Sequence, residues 1–584
     1  MKIQTPYISA FIFFSLFANI VVAQEKTKEP TKPVVSKEVI TPQKSTETVK
    51  QDTSKRNAVT EEVEVVRSYK PVLADAVKIR RSPELSDTKP FNPQVKYSLI
   101  DKRLELNSGI RELEAQKLAK EIAEQRKNNF AKLGFGNLGT GLAQLNIATG
   151  QDPALQAGFN FNHLSMNGKE NQQKISKQSL NAYGRSIGDA MVLEGKLGYD
   201  RLGTYFYGTD PLGSFSNLNP QKQRFNHFNA EGLLFNRTDA DDETSFSYAA
   251  KASGYIFNNA FKAKENSVVV SGGLGKNLNK FHLGANAAVD ITTSKDSAYS
   301  INNNLFKLNP YIKIQTDVLQ LTGGINYVNE FGNNQRIHIF PAASVDFMLI
   351  KNYLTIFGTF GGNVEKTTFK GLSDENPYVN QNLLLRNTVE KVNVSGGIRG
   401  TFAPNIGYKA MVSYQTLGDL SYFINDSTQR NKFNVDYLVG NTNVLGFDGE
   451  LNISFSEAFN LDSKLSVKQY DNDKEQYAWL RPGFLLKSTA SFKIVNQVKI
   501  SGDLLLQGET KAKIWDKPSN FPTSTYTVKT MKAFADISVG ADYQYNKQIS
   551  AFFRVNNILG NDYQRLPYYN NYGINILGGL SYGF

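Results

Sequence analysis

From Phe130 to Phe584, apolar and polar positions alternate with period two in one segment after another. The last stretch shows it most plainly. Tyr572, Ile574, Ile576, Gly578, Leu580, Tyr582 and Phe584 share one face; Gly573, Asn575, Leu577, Gly579, Ser581 and Gly583 share the other. Side chains alternate across a strand, so this spacing predicts a strand with one apolar face ending in aromatics. The same pattern recurs in Met191, Leu193, Gly195, Leu197 and Tyr199, in Phe246, Tyr248, Ala250, Ala252, Gly254 and Ile256, and in Leu283, Ala285, Ala287, Val289 and Ile291. It returns in Val392, Val394, Gly396, Ile398 and Phe402, and in Ala533, Ala535, Ile537, Val539, Ala541, Tyr543 and Tyr545. Charged residues such as Glu194, Lys196, Asp200, Lys532, Asp536 and Asp542 fall on the opposite faces.

The connections alternate in length. Short ones carry turn chemistry: Gln151-Asp152-Pro153, Gly188-Asp189, Asp239 to Glu243, Asn279-Lys280, Asp317, Lys351-Asn352, Pro404-Asn405, Glu457 to Asn460, Asn496-Gln497 and Asn546-Lys547. Long polar ones run from Met166 to Lys177, Gly208 to Gln223, Thr367 to Asn387, Asp471 to Pro482, Lys511 to Thr527 and Asn557 to Asn571. Short turns on one rim and long loops on the other are the build of a transmembrane barrel, whose short turns are periplasmic. In hydrocarbon every backbone N–H and C=O must be paired, so a sheet there closes on itself and turns its charges inward. Ten hairpins, the terminal strand and a strand at Phe130 to Asn137, reversing at Gly139-Thr140-Gly141, give about 22 strands, an even number as such barrels take. The expected fold is an all-β membrane protein: a closed antiparallel barrel over 130–584, behind a mostly irregular segment with one helix.

The mean hydropathy of −0.38 fits this fold, because only every second barrel residue meets lipid. Glycine (45), tyrosine (28) and phenylalanine (38) are plentiful. The net charge of +12 comes from interleaved acids and bases, which reads as a solvated surface rather than a nucleic-acid site. The chain has no cysteine, which excludes disulfides, thiolate metal sites and lipoprotein processing.

At the N-terminus, Lys2, an apolar core from Tyr7 to Val22 and small residues before Gln24 predict a signal peptide over 1–23, cleaved between Ala23 and Gln24. Residues 24–58, rich in Lys, Glu, Thr, Val and Pro, cannot bury enough apolar surface to offset their ordering entropy and read as a disordered periplasmic tether. Within 59–129, Glu61 to Val66 is a short β-prone run. Prolines 71, 83, 90 and 93 break the next stretch, and Ser108 to Gln125 reads as a helix with Ser108 as N-cap.

Val555-Asn556-Asn557-Ile558-Leu559, Asp562-Tyr563 and the final strand resemble the C-terminal end of TonB-dependent receptor barrels. The resemblance implies an outer-membrane protein of a Gram-negative bacterium, in contact with outer-membrane lipid. It implies that Leu580, Tyr582 and Phe584 form the insertion signal read by the barrel-assembly machinery. Val63, Glu64, Val65 and Val66 look like a TonB box, contacting TonB or another envelope protein by strand addition; a purely local strand is the other reading. The chain departs from the family ahead of Phe130, where the short, proline-broken segment has no recognisable plug sequence, which puts TonB-energised import in doubt.

No catalytic constellation stands out. The four histidines, His163, His227, His282 and His338, are scattered without metal-ligand spacing, and each reads as a polar lumen or interface residue. Asp471-Asn472-Asp473-Lys474-Glu475 lacks the glycine and spacing of a calcium loop. No enzyme, cofactor or metal is expected. Two functions remain: passage of a solute or macromolecule across the outer membrane, with long-loop tyrosines such as Tyr205, Tyr207, Tyr378, Tyr568 and Tyr569 contacting ligand or anchoring the interface, or a structural subunit of a larger secretion or assembly complex.

Overall fold

The computed structural model describes residues 129–149, 152, 154–209, 219–237, 245–455, 458–515 and 526–584. The expected cleavage site at Ala23 and Gln24, the tether, the run Val63, Glu64, Val65 and Val66, and the helix at 108–125 lie outside them.

The alternating segments form one 22-stranded antiparallel sheet in which every strand pairs with its sequence neighbours. The first strand, Phe130–Gly136, also pairs with the last, Asn575–Gly583, from Phe130↔Gly583 to Gly136↔Leu577, and this seam closes the barrel. Closure removes both edges, which is what lets a sheet sit in hydrocarbon. The first hairpin turns at Leu138 and Gly139, both with positive φ (55° and 57°), starting one residue ahead of the expected reversal. A two-residue turn of that handedness matches the twist of the strands it joins.

The apolar faces point outward. Leu193, Leu197, Ile256, Leu283, Ile291, Ile398, Val539, Leu580 and Tyr582 are exposed. Their neighbours in sequence point inward and pair across the lumen wall: Arg185 with Glu194 at 3.2 Å, Lys251 with Glu231 at 2.7 Å. Tyr572 is a correction, since it lies ahead of the terminal strand and is buried among Met166 and Ile175. At the seam the Phe552 ring covers Gly134 and Gly579: a Cβ on either would come within 2.7 Å and 2.6 Å of it. Phe552 packs with Leu142 and Leu577 inside the wall, and the Lys132 ammonium sits 3.8 Å from its ring centroid.

Both chain ends of the barrel lie at the short-turn rim. The long connections gather at the other rim, where three contain hairpins of their own, Ser421–Asn425 with Phe433–Tyr437, Thr510–Trp515 with Tyr526–Met531, and Gln564–Leu566 with Tyr569–Asn570.

Candidate functional site

The connection between the thirteenth and fourteenth barrel strands, Leu354–Glu365 and Thr388–Ala403, folds back against the lumen wall instead of reaching into solvent. Its short helix, Phe369–Glu375, is capped by Thr368, whose side chain accepts from the Gly371 N–H. The inner faces of the eighth to twelfth strands hold it at several points. Buried Glu265 accepts from the backbone N–H groups of Phe369 (2.7 Å) and Lys370 (3.0 Å), and also from the hydroxyls of Tyr255 (2.9 Å) and Ser294 (2.6 Å). Lys366 pairs with Asp290. Asn387 exchanges hydrogen bonds with Asn303 (2.7 and 2.8 Å) and donates to Glu330 (2.8 Å). Arg336 chelates Glu330 (2.7 and 3.2 Å) and reaches Asp419 at 2.8 Å. Beneath these polar anchors Leu305, Val328, Phe340, Val364 and Val389 pack together. A buried carboxylate or amide is stable only when its hydrogen bonds are made, so these contacts fix both wall and loop.

Above that loop the other long connections converge. Phe206, Tyr207, Phe369, Leu372, Tyr378, Val379, Leu383, Phe423, Phe433, Val435, Tyr437 and Tyr569 belong to one buried cluster. Tyr378 and Tyr569 stack with centroids 3.5 Å apart, and the edge of Tyr207 meets both, at 5.8 and 4.9 Å. Tyr207 donates to the Asn570 carbonyl (3.0 Å) and Tyr569 to that of Asn431 (2.5 Å). Asn431 in turn donates to the Phe206 carbonyl at 2.9 Å, and Lys432 to Gln221 at 3.0 Å. Phe206 follows the fifth strand and Asn431 follows the fifteenth, nearly half of the 22-strand circuit away. The loops therefore meet across the mouth of the barrel.

Burial decides the ionisation of this layer. It pushes Tyr207 up to about 12, and raises Tyr378, Tyr569 and Tyr572 well above the ordinary phenol value. Lys366 is held low by burial, against the pull of Asp290. At Asp426 burial works upward, but hydrogen bonds from Thr428, Gln429 and Asn434 outweigh it and keep the carboxyl low.

A second cluster binds the neighbouring loops. Lys513 lies 4.6 Å from the Tyr526 ring centroid, 5.3 Å from Trp515, 5.6 Å from Trp479 and 6.0 Å from Tyr422. Glu475 accepts from both Lys513 and the Trp479 indole at 3.0 Å. Glu475 is thus committed to an internal pair, and Asp473 accepts from the Asn441 N–H at 2.7 Å. Among the described residues no group of three or more His, Asp or Glu side chains is placed to hold a metal ion. His227, His282 and His338 stand on separate inner walls, beside Asp200, Asn277 and Glu330; His163 faces outward beside Gln178.

Two sequence expectations change here. Tyr207, Tyr378, Tyr568 and Tyr569 are buried packing residues of the loop layer, neither ligand-facing nor at a lipid interface. The 419–440 connection with its hairpin was not foreseen as a long loop, although the apolar alternation of Tyr422, Phe423, Phe433 and Val435 carried the signal.

A closed, outwardly apolar 22-stranded barrel with infolded loops defines the class by its fold: a transmembrane β-barrel. Solved structures agree on the fold. The chain resembles the FrpB iron transporter from Neisseria meningitidis with a TM-score of 0.59, at 11% identity over 79% of this chain and 82% of that one. It resembles the siderophore receptor PirA from Acinetobacter baumannii with a TM-score of 0.56, at 10% identity over 79% and 81%. For FpvA from P. aeruginosa, solved with bound pyoverdines, the values are 0.54, 13%, 78% and 71%. No protein-family model and no curated protein matches the chain by sequence.

Proposed function

We propose that the protein is a gated outer-membrane barrel of a Gram-negative cell, passing a solute or macromolecule inward through a lumen that its own loops close. The observation that carries this is the infolded 366–387 connection, pinned to Glu265, Asp290, Asn303 and Glu330 beneath a layer in which loops from opposite walls touch. A barrel serving only as structural support needs no such latch. The short-turn rim is the periplasmic one. Leu580, Tyr582 and Phe584 serve as the assembly signal, and Val63, Glu64, Val65 and Val66 serve as the contact for TonB or another envelope protein. The resemblance to iron and siderophore receptors makes a compact iron chelate the first ligand to try.

Planar-bilayer conductance of the full chain tests the gate. The wild type is expected to stay shut, replacement of 369–385 by a short Gly-Ser linker to give steady pores, and Glu265→Gln to raise open probability about tenfold or more through the lost charge-assisted bonds. Wild-type pores that conduct as freely as the loop-deleted ones, or a deletion that stays shut while the barrel remains heat-modifiable, would dismiss it. Loss of a co-purifying complex without any uptake defect on deleting residues 24–129 would instead favour a structural subunit.

A further inference from the structure

The outward face is not uniform around the loop-bearing rim. Six adjacent strands, Lys174–Ile187, Met191–Tyr205, Lys222–Asn236, Phe246–Asn258, Lys264–Leu278 and Phe281–Lys295, can be read against one another through their registers. Directly opposed residues share a side. Leu180, Tyr199, Phe228, Ile256, Val268 and Ile291 form the upper border of the exposed apolar band. Stepping by twos from that border toward the loop rim, the same face carries Lys174, Arg201, Lys222, Arg224, Lys264 and Lys295. Between them lie Ser176, Gln178, Asn226, Asn258, Asn266 and Thr293. No Asp or Glu stands on the outward face of any of the six strands; the carboxylates of these strand ends, Asp200, Glu265 and Asp290, point inward.

The cations are poorly compensated. Among the described residues Arg201 donates only to Gln178, at 3.4 Å, and the Lys222 ammonium lies 6.0 Å from the Tyr205 ring centroid. None of the six pairs with a carboxylate among the described residues. Lys264 and Lys295 are direct cross-strand partners. Like charges placed so are destabilising, unless an anion lies between them. The six side chains stand two to six residues past the apolar border, roughly 7–20 Å along the strands, which on strands tilted by about 45° reaches through and just beyond a headgroup layer. The outward upper end of the Phe459–Asn472 strand, by contrast, carries Asp471.

We propose that this arc docks the phosphate groups of a phosphorylated outer-leaflet lipid. The inference rests on the barrel standing in the outer membrane with its short turns inside, but not on what passes through it. Phosphates at that depth give Lys264 and Lys295 their shared counter-ion, while Tyr199 and Tyr205 sit at the interface where aromatic side chains partition. The lipid in turn supports the wall against which the latched loop lies.

The test uses the full chain in neutral detergent, titrated with bis-phosphorylated lipid A and followed by native mass spectrometry and by the temperature midpoint of its gel shift. Adducts and a rising midpoint are expected, weakening with salt as surface electrostatics do. The variant Lys222→Gln/Arg224→Gln/Lys264→Gln/Lys295→Gln should bind at least about tenfold more weakly, since each cation near an anionic surface contributes about fivefold. It should keep its lipid-free gel shift. If it fails to assemble, Lys264→Gln alone decides: weaker lipid binding with an unchanged or higher lipid-free midpoint. Equal binding by the variants, equal binding of dephosphorylated lipid A, or the same midpoint rise with inorganic phosphate would each overturn the proposal. Fractionation of the chain away from the outer membrane would remove the parent reading instead.

Discussion

Tyr378 and Tyr569 stack 3.5 Å apart although one comes from the loop after the thirteenth strand and the other from the loop before the last. With Tyr207 against both, they form the point at which separate hairpins become one layer. Such a layer has its own stability, distinct from that of the hydrogen-bonded wall beneath it.

Tyr569→Ala should therefore loosen the loops and leave the wall intact. A buried aromatic truncated to alanine costs about 3–5 kcal/mol. Limited proteolysis of intact cells or proteoliposomes should cut the 419–440 and 557–574 connections at least tenfold faster, with an unchanged barrel gel shift. Equal cutting rates would show that the rings do not hold the layer.

Glu475→Ala should unseat Lys513 from its rings, at a cost of about 1–3 kcal/mol for an abandoned buried partner. The chain has only two tryptophans, Trp479 and Trp515, and both stand in this cage. A red-shifted tryptophan emission is the expected readout, and an unchanged spectrum would speak against the cage.

The loop layer should open at high pH. Tyr207 is raised from 10.0 to about 12 by burial, so its neutral form is the one the layer stabilises. The stabilisation is complete below pH 10.0 and is lost as pH rises to about 12, because the unpacked phenol ionises first. Protease sensitivity of the loops should rise over that window in the wild type and less in Tyr207→Phe.

Phe552→Ala should weaken the seam. The ring covers Gly134 and Gly579 from inside, so its removal costs about 3–5 kcal/mol where the shortest strands meet. The gel-shift midpoint should fall, and by clearly more than for Phe553→Ala, whose side chain is exposed on the other face.

Phe584→Ser should lower the amount of barrel assembled in cells without lowering the midpoint of what does assemble. Phe584 is exposed beyond the last paired residue and lies 6.2 Å from the Tyr582 ring centroid, so it contributes little packing. An unaltered yield would remove the assembly-signal role.

The wall was legible because it obeys local rules. Leu193 with Leu197, and Leu580 with Tyr582, declare their side by period two, and the longest connections declare their rim. The loop layer obeys no such rule. Nothing adjacent to Tyr207 or Tyr569 in the chain announces that they meet Tyr378, because each contact spans well over a hundred residues and depends on how the wall closes. Glu265 likewise looks like one more lumen charge on an alternating strand; only the fold places the N–H groups of Phe369 and Lys370 on it.

The sequence by itself determined an alternating sheet of about 22 strands, greasy on one side, that must close to pair its backbone in lipid. The tertiary structure decided what fills the mouth, which loop turns inward, and where six outward cations line up. Those depend on register and on contacts around the circumference, and periodicity along the chain carries no information about either.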